Sequence, residues 1–238
     1  MQEIRSFRAP DGTCVVVGHR RAEADIEALV SAGEIDCLIV ASEDGFSPFG
    51  AYRRLFASEI GVSEGVLRRL AESHQKSERV TLIALPSHRK ESMLRGLIIS
   101  PSETSECYKH FAVPRFGAPY RDFFYNVTYE ALSYATQRWG ARRLGTFHLS
   151  AGNNFHSDIA LCQAEAVAHF IGNKSENFKL DSFCFVGCCI TSDHLSQVRA
   201  EDPAHFKGNH RPIQAKISSK DGYDLVDIRW ARSATTRL

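Results

Sequence analysis

The stretch RLGTFHLSAGNNFHSDIALCQAEAVAHFIG, residues 143–172, carries the reading of the fold. It opens with a short apolar segment, passes through the polar, glycine-containing run Ser150–His156, and continues as an apolar helical pattern that stops at Gly172. A strand, a tight polar loop and a helix in that order form one βα unit, and such units build parallel sheets. A glycine-containing turn at the carboxyl end of a strand, aimed with the positive end of the next helix, is also a physical recipe for binding an anion through backbone N–H groups. The same residues serve equally well as a plain turn, because Gly152, Asn153 and Asn154 all accept positive φ.

Working outward, the alternation repeats. GTCVVVG (12–18) reads as a strand, paired with EIRSFRA across a P-D-G-T turn. AEADIEALVSA (22–32) has helical apolar spacing and ends at Gly33, and IDCLIVAS follows as a continuous apolar strand of the kind buried on both faces. Two helical stretches are expected at Ala51–Ile60 and Ser63–Ser73, then two strands, RVTLIALP and RGLIISPS, joined by the polar SHRKESML. After an irregular segment with Pro101, Pro114, Gly117 and Pro119, a long helix places Phe124, Val127, Ala131, Leu132 and Ala135 on one stripe and closes at Gly140. The strand DSFCFVGCC and a terminal hairpin, IQAKISS and YDLVDIRW about K-D-G, complete the order. The expected fold class is α/β: three α/β/α layers about a mixed, mostly parallel sheet, with hairpin extensions at both ends. Residues 1–200 form the expected domain, and 201–238 an extension packing on it.

Composition limits the function. The chain has 238 residues, 43% hydrophobic and 24% charged, enough to bury a sizeable core. Its net charge of +1 gives no electrostatic ground for nucleic acid as partner. The sequence lacks an apolar run of the roughly 18 residues a membrane span requires, and its first residues lack the apolar core of a signal peptide, so no membrane partner and a cytoplasmic location are expected. Cys14, Cys37, Cys184, Cys188 and Cys189 lie in strand-like runs and Cys162 on a helix face, as expected of buried reduced thiols rather than a disulfide or zinc framework. No metal site is expected. His148 and His156 flank the loop without a third ligand at a compelling spacing, and Asp193 and His194 follow the last core strand. Neither a nucleophile elbow nor a Walker loop is present, so no catalytic residue is assigned.

The order of elements over about residues 12–190, and most specifically YNVTYEALSYATQRWGARRLGTFHLSAGNNFHSDIALCQAEAVAHFI, resembles the macro domain-like fold of ADP-ribose-binding macro domains and leucine aminopeptidase N-terminal domains. The resemblance sets Ser150, Ala151 and Gly152 at the family's phosphate-loop Ser-Thr-Gly, and Phe155 close to the aromatic beside the distal ribose. It departs after the second strand, where VASEDGFSPFGAYRRLF stands in place of the family's Asn-Ala-Ala-Asn and glycine-rich run. The adenine-contacting Asp has no clear match, since His19 stands there and Asp25 comes later.

The expected ligand site joins Ser150, Ala151, Gly152, Asn153, Asn154 and Phe155 to Asp44, Gly45 and Phe46 after the strand at Ile35–Ala41. Its expected ligand is a small nucleotide-like phosphate or diphosphate, with no bound cofactor. A hydrolase or transferase acting on such a ligand, with Glu43, Asp44, His148 or His156 as acid or base, is the first alternative. A ligand-free structural or interaction domain, acting by self-assembly or with an external partner, is the second.

Overall fold

A computed structural model describes residues 2–8, 14–20, 26–43, 47–48, 60–61, 80–101, 118–146, 156–172, 180–186, 215–220 and 222–228. The strands are β1 (Gln2–Arg8), β2 (Cys14–Arg20), β3 (Cys37–Glu43), β4 (Ser47–Pro48), β5 (Val80–Pro86), β6 (Gly96–Pro101), β7 (Arg143–Thr146), β8 (Ser182–Val186), β9 (Lys216–Lys220) and β10 (Tyr223–Ile228). The helices among the described residues are α1 (Ile26–Ser31), α2 (Ala118–Trp139) and α3 (His156–Gly172). All the strands join one mixed sheet in the order β1-β2-β8-β7-β3-β6-β5-β10-β9, with β4 paired to β3. Its centre, β2-β8-β7-β3-β6, is parallel, and the flanking pairs are antiparallel. The helices expected at 51–60 and 63–73 lie outside the described residues, apart from Ile60.

The continuous apolar strands are explained by two cores, one on each face. Side chains alternate across a strand, so Cys37 and Ile39 of β3 pack with α2 and α3, while Leu38 and Val40 pack toward Leu29 and Val30 of α1. The same alternation divides Phe183 and Phe185 from Cys184 and Val186 in β8, and Leu82 from Ile83 in β5. The stripe read on α2 is the buried face: Phe124, Val127, Ala131, Leu132 and Ala135 are fully buried. Gly33 and Gly140 end their helices at φ of 66° and 60°, a conformation that costs glycine nothing sterically. Cys37, Cys162 and Cys184 are buried thiols, as expected.

Of the helix expected at 22–32, Ile26–Ser31 is helical, and residues 22–25 lie outside the described residues. α3 begins at His156, and Ser157, whose residue type suits a helix cap, lies in its first turn; hydrogen-bond bounds of helix ends shift by a residue or two with fraying.

The starts of three parallel strands are tied together at one residue. Asp36, 3% exposed, donates its N–H to the Arg143 carbonyl at 2.8 Å, and its own carbonyl accepts the Arg95 N–H at 2.7 Å. Its carboxylate accepts the backbone N–H groups of Arg142, at 3.0 and 3.2 Å, and of Arg143, at 2.9 Å. One side chain and one peptide thus set the relative height of β3, β7 and β6.

Two measurements test this account. Asp36→Ala deprives the Arg142 and Arg143 amides of their acceptor, and denaturant unfolding should show a loss of about 2–4 kcal/mol, with a smaller loss for Asp36→Asn. The second concerns Glu130 on α2, whose carboxyl burial pushes from the ordinary 4.5 up to about 7. The folded state therefore holds that proton more tightly than the unfolded chain, and the associated stability is present below about pH 4.5 and lost as pH rises through about 7. Glu130→Gln should raise the unfolding midpoint at pH 8 relative to the parent and leave it nearly level at pH 4.

Candidate functional site

β3 and β7 are neighbours and parallel, in register Cys37↔Leu144, Leu38↔Gly145 and Ile39↔Thr146. Both carboxyl ends therefore lie on the same edge of the sheet, and the chain leaves each of them there. From β7 it proceeds to the candidate loop and then to α3. From β3 it reverses at once, because β4 pairs back onto β3 through Ser42↔Pro48 and Glu43↔Ser47. The sequence reading took this second region as an open loop; the pairing makes it a short antiparallel return, with three residues between Glu43 and Ser47. Those three, Asp44, Gly45 and Phe46, lie outside the described residues, as do Ser150, Ala151, Gly152, Asn153, Asn154 and Phe155. So do His148, Asp193 and His194, while for Glu43 and His156 only the backbone is described.

The foundations of the β7–α3 connection are visible. Thr146, the last residue of β7, is fully buried, and its Oγ1 accepts a hydrogen bond of 2.8 Å from Nε2 of Gln163, two turns into α3 and 1% exposed. This buried bond ties the end of β7 to α3, the two elements that residues 147–155 join in sequence. Neither Thr146 nor Gln163 stood out in the sequence, since a Thr in a strand and a Gln in an apolar helix carry no spacing signal; the polar residue on the otherwise buried α3 face is the one trace. Thr146 also pairs with Phe185 of β8, which places β7 in the middle of the parallel centre rather than at its border.

α3 is held laterally as well. Tyr125 on α2 and His169 on α3 share a hydrogen bond of 2.9 Å between the phenol and Nδ1. Burial lowers the His169 pKa from 6.5, and burial, Tyr129 and Glu165 raise that of Tyr125, so at neutral pH both groups are uncharged and the phenol can donate to the ring nitrogen. Tyr129 adds an edge-on contact to Phe170, with centroids 5.3 Å apart. Among the described residues no cluster of His, Cys, Asp or Glu could hold a metal ion, and no helix is long and apolar enough to cross a membrane.

No family model matches the sequence, and no curated protein matches it. Solved structures do match. An Oceanobacillus iheyensis macrodomain with ADP-ribose superposes with a TM-score of 0.49 at 9% identity, covering 81% of this chain and 95% of that one. A Trypanosoma brucei macrodomain in complex with ADP gives 0.42 at 12% identity, covering 76% and 66%. Tomato leucine aminopeptidase gives 0.48 at 12% identity, covering 80% of this chain and 37% of that one. Each of these is a likeness of overall arrangement; the described elements themselves form one mixed sheet with apolar cores on both faces.

If the Thr146–Gln163 bond anchors the loop, Gln163→Ala should destabilise the protein by about 1–3 kcal/mol, as expected for breaking a buried polar pair. Hydrogen exchange should at the same time quicken at the first amides of α3 more than at those of α2. Equal acceleration in both helices would mean that the bond is ordinary core glue.

Proposed function

We propose that this chain is a binding module for a nucleotide-derived phosphate or diphosphate of the ADP-ribose type, held between Ser150–Phe155 and Asp44–Phe46. The observation that carries the reading is the adjacency of β3 and β7. Two segments more than a hundred residues apart in sequence leave the sheet from neighbouring parallel strands at one edge, where open α/β folds receive ligands. α3 begins just beyond one of them, so its positive end adds to whatever backbone N–H groups Gly152 and its neighbours present. The nucleotide character of the ligand follows from the resemblance of Ser150-Ala151-Gly152 to a phosphate loop and from Phe155 as a flat partner for a sugar or base.

The site is one for recognition rather than turnover. Neither asparagine that the resemblance would require after Val40 is present, and only Gly45 and Gly50 remain of its glycine-rich run, so donors that would hold a reacting ribose in place are missing. Misplacement by about one ångström costs on the order of a hundredfold in rate. The purified chain is expected to show no release of ADP-ribose from a modified test protein above the uncatalysed background.

Binding is tested by thermal unfolding with ADP-ribose, ADP and inorganic phosphate. A ligand present at one hundred times its dissociation constant should stabilise the fold by about 2.7 kcal/mol. Gly152→Val should abolish that shift by blocking the close approach, with backbone strain its added effect on the ligand-free midpoint, and Phe155→Ala should weaken calorimetric affinity by about 1–3 kcal/mol. No shift with any of the three ligands would overturn the reading and favour an interaction domain. A loss of stability at unchanged affinity in Phe155→Ala would make that ring part of the core.

A further inference from the structure

The opposite edge of the sheet holds a second concavity that the carboxyl-edge reading does not use. It is an open depression of about 450 Å³ at the amino ends of β3, β6 and β7, lined by Arg89, Arg95, Arg143, Asp36, Met93 and Trp139 among others. Three guanidinium groups converge on it against a single carboxylate, and that carboxylate already serves the Arg142 and Arg143 amides.

The donor count leaves the cavity electrophilic. A guanidinium has five N–H donors in a rigid fork. Arg95 uses one of its terminal nitrogens, donating 2.8 Å to the Trp139 carbonyl at the end of α2. Arg143 is near Asp36, with Nε 3.8 Å from Oδ2, too far for a hydrogen bond, and that buried Nε has no hydrogen-bond partner. The remaining donors of Arg95 and Arg143 are therefore not consumed by protein acceptors among the described residues. Arg95 and Arg143 alone set two positive charges against the single carboxylate of the lining.

The walls are flat and apolar. Trp139 lies against Gly96 so closely that a Cβ there would come within 2.7 and 2.8 Å of its ring, and within 2.6 Å of the Leu85 carbonyl. The absence of a side chain at position 96 is what allows the half-buried indole to lie down beside the arginines. Met93, also in the lining, is 49% exposed, one of two large exposed hydrophobics among the described residues. The thioether is flexible and polarisable, suited to covering a planar ring.

The geometry points to a second, independent ligand site here, for a small organic dianion: a phosphate ester or a dicarboxylate on a flat or apolar body. The acid oxygens meet the guanidinium forks, which match carboxylate and phosphate geometry in a bidentate manner, and the body lies between Trp139 and Met93. The site does not depend on nucleotide binding at the other edge.

Trp139 is one of two tryptophans in the chain, so its fluorescence reports occupancy once Trp230→Phe removes the other. The probes are phenyl phosphate, phthalate and benzoate, titrated at matched ionic strength and pH 8. Saturable quenching or enhancement with phenyl phosphate, phthalate or both is expected, and which of them binds identifies the acid group. Benzoate, the monoanion, should bind more weakly. Arg89→Gln, at an exposed position, and Arg95→Gln should each weaken the response about tenfold, the loss of one charge-assisted contact. Gly152→Val should leave it unchanged, so that failure of the nucleotide site and failure of this one are separable. A linear, non-saturating response, equal binding of benzoate, or parent-like affinity in both arginine variants would overturn the proposal.

Discussion

Asp36 is the constraint on which the arrangement depends. It stands one residue before β3, and its backbone and side chain together engage Arg95, Arg142 and Arg143 at the starts of the strands on either side. A buried carboxylate is costly unless each lone pair is met, and here the backbone amides of the neighbouring strand meet them. Because a parallel pair has no tight turn to set its register, such a contact at the point of entry decides which residues face each other along the strands. The pairing Cys37↔Leu144 on one side and Cys37↔Gly96 on the other follows directly.

From that register the two cores follow. Once Cys37 and Ile39 face α2 and α3, Leu38 and Val40 must face α1, and the same parity runs through β5, β6 and β8. A slip by one residue would exchange the two sets. The residues on the two faces differ in bulk, with Phe183 and Phe185 on the side of the long helices and Cys184 and Val186 on the other, so the exchange would leave one core overfilled and the other hollow.

The consequences for function lie at both edges of the sheet. At the carboxyl edge, register sets β3 and β7 side by side, and the buried bond from Gln163 to Thr146 holds α3 to the end of β7. At the amino edge, the residues that lock the register line a depression that brings arginines beside an indole. One set of strand starts thus serves both as the anchor of the fold and as the floor of a second concavity.

The sequence by itself determined the alternation of strands and helices, the buried stripe on α2, the glycine stops at Gly33 and Gly140, and the terminal hairpin, because each is written in local periodicity and turn chemistry. It also singled out Ser150–Phe155 and Asp44–Phe46, since glycine and asparagine after an apolar strand are visible without any partner. Only the tertiary structure decided that β3 lies beside β7, that the chain doubles back through β4, that Asp36 joins three strands, and that Arg89, Arg95 and Arg143 share one depression. Those residues are separated by dozens of positions and carry no common pattern. A lone Asp before a strand or an Arg after a turn reads as solvated surface, and only the pairing of strands that are distant in the chain, driven by burial of apolar side chains on both faces of the sheet, brings them together.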